Sequence, residues 1–97
     1  MLPSCSEIEK LGKGIANANR YRVLEALMNG PRTVGQVVTS VKLSQPAVSQ
    51  HLKVLKASGL VTDVRDGQEV YYSVNVAHMG KLLQSLVKGV EKCKKKN

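Results

Sequence analysis

The hydrophobic period of this chain changes at Gly59, and that change limits the fold more than any other feature. Upstream of it, apolar residues recur every three or four positions, as they do along one face of a helix. Downstream, Leu60–Val64 and Glu69–Val74 are rich in β-branched and aromatic residues, with Arg65-Asp66-Gly67-Gln68 between them. Asp-Gly set between two such runs predicts a hairpin. Helical spacing then returns, and a last helix from about Val76 to Lys92 carries Met79, Leu82, Leu83, Leu86, Val87 and Val90. That stripe is broad for the end of a small domain.

The first half divides at its caps. Ile8, Leu11 and Ile15 predict a first helix from Ser4 to about Ala16, where Gly12 and Gly14 are either poor helix formers or points of close packing. A second helix, about Asn19 to Met28, presents Val23, Leu24 and Leu27 and stops at Asn29-Gly30-Pro31. Thr33 reads as an N-cap with Gln36 as its capping-box partner. Val34, Val37, Val38 and Val41 follow, giving a short third helix of about nine residues, with a strand as the competing reading because Val favours strands. Lys42-Leu43 is a tight connection to a fourth helix that Ser44 caps, with Pro46 in the first turn, where proline is tolerated. Val48, Leu52 and Leu55 form its buried stripe, and Ser58-Gly59 ends it. This order predicts a mainly α fold with a small β-hairpin: a winged helix-turn-helix of about five helices and a two-stranded wing. The expectation is a single domain over residues 1–97, with a basic tail from about residue 92.

Charge narrows the class of partner. Fifteen Lys and Arg against seven Asp and Glu give a net charge of +8, which suits nucleic acid first and an anionic membrane surface second. Lys92, Lys94, Lys95 and Lys96 supply part of it as a solvated tail, yet the body without them is still basic. No stretch approaches the ~20 apolar residues that span a bilayer. Met1 to Lys10 contains acidic residues and no apolar core, unlike a signal peptide. A cytoplasmic protein is therefore expected. Three Tyr with no Phe or Trp argue against single-stranded or RNA ligands, whose bases stack on aromatic rings. Two His, seven carboxylates and no phosphate-cradling glycine loop leave little for acid–base or nucleophilic work, so no enzyme is expected.

The chemistry is concentrated in Leu43–Leu55. A recognition helix buries one face and offers short polar side chains on the other, its N-terminal turns toward base edges. Gln45, Ser49 and Gln50 suit that exposed face, since Gln bonds adenine in a bidentate manner and Ser donates or accepts with several bases. Lys53 and Lys56 would bond phosphates and set register. Ser44 and Pro46 at the helix start, with Arg65 and Gly67 in the wing, complete the expected contacts to double-stranded DNA. Arg32, Thr33 and Lys42 are second-rank phosphate contacts. His51 adjoins the buried stripe, so a structural hydrogen bond is its expected role ahead of DNA contact. A protein-binding winged-helix module is the alternative from another class, against which the basic polar face argues.

Residues Leu43 to Leu60 resemble the ArsR/SmtB family of bacterial repressors, whose helix here reads L-S-Q-x-x-V-S-x-H-L-x-x-L. Ala16, Arg20, Leu24 and Leu27 fall in the family's upstream pattern A-x-x-x-R-x-x-I-L-x-x-L, with Val23 for Ile. Gly59-Leu60-Val61, Gly67 and Val70–Val74 match its wing, so the similarity spans about residues 8 to 92. The resemblance implies a cytoplasmic homodimer joined through first and last helices, which represses by binding an imperfect inverted repeat. Such relatives often release DNA when a metal, metalloid or reactive sulfur species binds. The family's C-V-C thiol site would fall at Thr33-Val34-Gly35, which has no cysteine. Its last-helix zinc site would fall on His78 with Val76, Gly89 and Lys92, and a lone His is a poor site for an ion that wants three protein ligands. No metal or other cofactor is therefore expected. In sulfur-sensing relatives a second-helix Cys pairs with one late in the last helix; Cys93 matches the latter and Glu25 occupies the former's place. Cys5 departs from the pattern. It begins the first helix as Cys93 ends the last, so the two either form a thiol or redox switch or are bystanders, as intracellular cysteines usually are.

Overall fold

The computed structural model describes residues 16–96 together with positions 9 and 12. Over residues 17–96, four helices and one hairpin come in order: α1 (Ala18–Ala26), α2 (Val34–Val41), α3 (Gln45–Ala57), β1 (Val61–Asp66), β2 (Glu69–Val74) and α4 (Val76–Lys96). The helix expected over Ser4–Ala16 lies outside the described residues except for Glu9, Gly12 and Ala16, which are helical.

Local chemistry sets each boundary. Asn17 caps α1 by accepting from the Arg20 amide at 3.0 Å. The capping box of α2 is complete: Thr33 Oγ1 accepts from the Gln36 amide at 3.3 Å while Gln36 Oε1 accepts from the Thr33 amide at 2.9 Å. That pair of bonds decides for helix over strand in the valine-rich segment, because two end donors are satisfied at once. Ser44 caps α3, accepting from the Ala47 amide at 3.3 Å. At its other end the Gly59 amide donates to Lys56 O and the Leu60 amide to Leu55 O, both at 3.0 Å. This is a Schellman closure, with the buried Leu55 and Leu60 as its hydrophobic pair. Gly59 serves here for two reasons: its φ is +81°, and an added Cβ would meet the His78 ring at 3.0 Å.

One core gathers all these elements. Val23, Leu24 and Leu27 from the α1 segment, Val37 and Val41 from α2, Val48, Leu52 and Leu55 from α3, then Leu60, Val61 and Leu82 are all buried. Helices α1, α2 and α3 pack on one another, β1 lies against α3, and β2 lies against α2. Removing a side chain such as Leu52 would cost about 2–5 kcal/mol in lost transfer energy and cavity.

The hairpin differs from its expected form. β1 runs from Val61 to Asp66, later than the expected Leu60–Val64, and pairs antiparallel from Val61↔Val74 to Asp66↔Glu69. The loop is therefore Gly67-Gln68 alone, not the four residues Arg65–Gln68. Gly67 has φ +65°, whereas Gln68 is absent from the residues with positive φ. That is the pattern of a type II′ turn, with Gly at its first central position, instead of the type I′ turn associated with Asp-Gly. Leu60 leaves the strand because its amide closes α3, although its carbonyl still accepts from Asn75 at 2.9 Å. A third short piece joins the sheet: Arg32 and Tyr72 exchange backbone bonds of 2.9 and 2.8 Å.

α4 starts at the cap Asn75, whose Oδ1 accepts from the His78 amide at 3.2 Å, and continues to Lys96, past its expected end at Lys92. The segment read as a solvated basic tail is thus largely the end of this helix. Leu82 and Ser85 are buried and Met79 packs on the core, while Leu83, Leu86 and Val87 on the same helix are exposed.

Candidate nucleic-acid interface

α3 is two-faced in the way the site requires. Val48, Leu52 and Leu55 are fully buried at spacings of four and three. Gln45, Ser49, Lys53 and Lys56, at spacings of four, four and three, form an exposed row, with exposed Pro46, Gln50 and Ala57 beside it. Every α3 residue expected to meet DNA is therefore on the solvent side of one helix. Ser44 is exposed too, but its Oγ is engaged as the cap. Pro46 sits in the first turn, where a missing N–H removes a donor the helix would leave unused.

The flanks of the helix are occupied differently. His51 is half-buried, and its Nδ1 is buried without a hydrogen-bond partner. The structural hydrogen bond expected for this ring is thus not made at Nδ1. Burial, and then the positive charge of Arg20 on α1, hold the His51 pKa below its ordinary value, so the ring is neutral at pH 7. Toward the wing, Lys56 Nζ lies 2.9 Å from Asp63 Oδ2 on β1. The hydrogen bond that Lys56 donates to Asp63, and the negative charge of that carboxylate, raise the Lys56 pKa above the usual lysine range. Lys56, expected from its place in the sequence to meet phosphate, is paired with a carboxylate in the fold. Asp63 is the partner that the sequence reading misses, and the only signal was an opposite charge seven residues away across Ser58-Gly59.

The remaining expected residues are spread over the connections. Arg65 is exposed on β1 and Gly67 on the hairpin loop. Arg32 is half-buried, tied by its backbone to Tyr72 and by its guanidinium to Pro31 O at 3.2 Å. The Thr33 hydroxyl is taken by the capping box. Lys42 is exposed and left-handed, with φ 57° and ψ 39°, where it ends α2. Cys5 and the Cys93 side chain lie outside the described residues, and His78 stands with no metal-binding cluster around it among the described residues. No helix among those residues is long and apolar enough to cross a membrane.

Two helices joined at Lys42-Leu43, the second with a polar, lysine-bearing outer face and followed by a hairpin, define a winged helix-turn-helix protein of the DNA-binding class. Comparison with known proteins narrows the class. The family model described as "Bacterial regulatory protein, arsR family" matches residues 17–63. The chain is 34% identical over 85 residues to the HTH-type transcriptional regulator CmtR of Mycobacterium tuberculosis, covering 88% of this chain and 72% of that protein. It is 36% identical over 63 residues to the transcriptional repressor SdpR of Bacillus subtilis, covering 65% and 70%. Among solved structures it resembles the homodimeric winged helix-turn-helix DNA-binding domain Mb0332 of Mycobacterium bovis, with a TM-score of 0.70, 30% identity, and 86% and 80% of the two chains covered. The chain belongs to the arsR family of bacterial regulatory proteins.

Proposed function

We propose that this chain is a cytoplasmic transcriptional repressor that binds an inverted-repeat operator as a homodimer, with α3 in the major groove of each half-site. The observation that carries the reading is the polar outer row of α3, set on a fully buried inner row. Gln45, Ser49 and Gln50 read base edges; Lys53, with Arg65 and the Gly67 backbone on the wing, meets phosphates. The exposed Leu83, Leu86 and Val87 of α4 are the natural seam for a second copy, as Mb0332 is described as homodimeric. Two recognition helices would then sit about one DNA turn, ~34 Å, apart.

A thiol switch at Cys5 and Cys93 belongs to the same reading. Lys92, Lys94 and Lys95 flank Cys93 in sequence and favour its thiolate. With peroxide as oxidant, two thiols and one H₂O₂ give one disulfide and two waters, and the crosslink would re-aim the two copies of α3. Cys5→Ser and Cys93→Ser variants test it: unchanged peroxide sensitivity of DNA binding in both removes the switch.

Fluorescence anisotropy on DNA selected from a random pool, against scrambled DNA, tests the repressor reading. A preference of ~10³-fold or more is expected. Equal binding to both DNAs would overturn it.

A further inference from the structure

Arg22 lies outside the DNA-facing row of α3, yet it reaches the joint that aims that row. It stands on α1 beside the buried Val23 and Leu24, so its backbone belongs to the fixed frame of the core. Its guanidinium crosses to α2 and donates through Nη2 to the carbonyl of Val41, nineteen residues on. Val41 is the last residue of α2, and its carbonyl is one of the four that a helix end leaves without an internal partner. A cation suits that position twice: it satisfies the oxygen, and it sits at the negative end of the helix dipole.

The residues just after Val41 give the contact its meaning. Lys42 turns the chain in the left-handed region, its amide returning to Val38 O at 2.9 Å. Leu43 packs against the core, and Ser44 caps α3. Only Lys42 and Leu43 thus separate the clamped carbonyl from the cap of the recognition helix. The Val41–Lys42 peptide is thus the link between the end of α2 and the left-handed turn that leads into α3. Arg22 also lines an open polar cleft of about 420 Å³ with Glu25, Asn29 and Ser40. Water can therefore replace the bond, so its loss should appear in the aim of α3 before it appears in folding.

We propose that Arg22 is a positioning residue for DNA recognition: from α1 it holds the turn of the helix-turn-helix, and through it the aim of α3, without touching DNA. The proposal rests on the reading of α3 as the recognition helix. The test uses the full chain as wild type, Arg22→Met and Arg22→Lys, on pool-selected and scrambled DNA across a salt series, with amide exchange followed at Lys42, Leu43 and Ser44. Arg22→Met should bind selected DNA about tenfold more weakly, the size of one charge-assisted hydrogen bond. Scrambled DNA should change less than about twofold, the salt slope should hold, and exchange at the turn should quicken. Arg22→Lys, which keeps a charged donor, should recover most of the loss. Equal loss on both DNAs with a shallower salt slope would make Arg22 a phosphate contact and overturn the proposal. Unchanged specificity in Arg22→Met would overturn it as well. Should Arg22→Met not fold, Arg22→Gln, too short to reach Val41, carries the same comparison. A wild type without sequence preference would show instead that the reading of α3 has failed, and the positioning role falls with it.

Discussion

Replacing Asp63 with asparagine should strengthen DNA binding and make it more sensitive to salt. In the free protein the Lys56 ammonium is held 2.9 Å from the Asp63 carboxylate, at the join of α3 and β1. Lys56 also shares the exposed row of Gln45, Ser49 and Lys53, so a phosphate that tracks this row competes with Asp63 for one cation. Asparagine is close to aspartate in shape and removes the competing charge. Each phosphate neutralised contributes about −0.9 to the slope of log K against log[salt]. One newly committed lysine in each protomer of a dimer should therefore steepen the slope by about 1.8. Between 50 and 200 mM salt, that extra slope is worth about a twelvefold additional loss of affinity. Anisotropy titrations at four or five salt concentrations would measure it. Asp63→Asn made in a Lys56→Gln background is the control, because it retains the general loss of negative charge and lacks the released lysine. An equal change of slope in both backgrounds, or none in either, would refute competition between carboxylate and phosphate for Lys56.

The same geometry carries other expectations. Gln50→Ala should lower the preference for the selected operator by about 1–3 kcal/mol at one base pair, whereas Lys53→Ala should weaken selected and scrambled DNA alike and flatten the salt slope by about 1 per protomer; competition titrations separate the two. The depressed His51 pKa means that the unfolded chain binds a proton more readily than the folded one, so stability is level above the ordinary value of about 6.5 and falls as pH drops through it. Urea melts from pH 8 to 5 should show that fall in the wild type and a smaller one in His51→Gln. Lys42→Gly should stabilise by about 1 kcal/mol, because glycine accepts φ 57° without the Cβ conflict of a lysine, and the melting temperature should rise by about 4–8 °C; a lower melting temperature would mean that the lysine stem contributes packing that outweighs its strain.

Local signals carried most of the architecture. Thr33-x-x-Gln36, Ser44 before Gln45-Pro46, and Gly59 after Ser58 are chemical punctuation, and each marks a boundary because the group it satisfies lies within a few residues. The valine, leucine and polar rows of α3 were legible for the same reason, since helical period alone sorts Val48, Leu52 and Leu55 from Gln45, Ser49 and Lys53. What escaped was decided across distance. The hairpin loop shortened to Gly67-Gln68 because pairing extends to Asp66↔Glu69, a matter of register between strands. The Arg22–Val41, Lys56–Asp63 and Arg32–Tyr72 contacts depend on where whole elements come to rest. No spacing rule encodes them, and two of the three alter what a basic residue is available to do.

The bridge between Arg32 and Tyr72 has a mechanical consequence. Its two backbone bonds fasten the second strand of the wing to the residue next to the cap of α2. The hairpin is then held at its side as well as at its ends, on the same block that carries α3. Groove and flank would be presented to a half-site as one rigid stencil. In the dimer proposed above, tolerance for half-sites set slightly closer or farther apart would then come from the pairing of two such blocks along α4 and not from the wing.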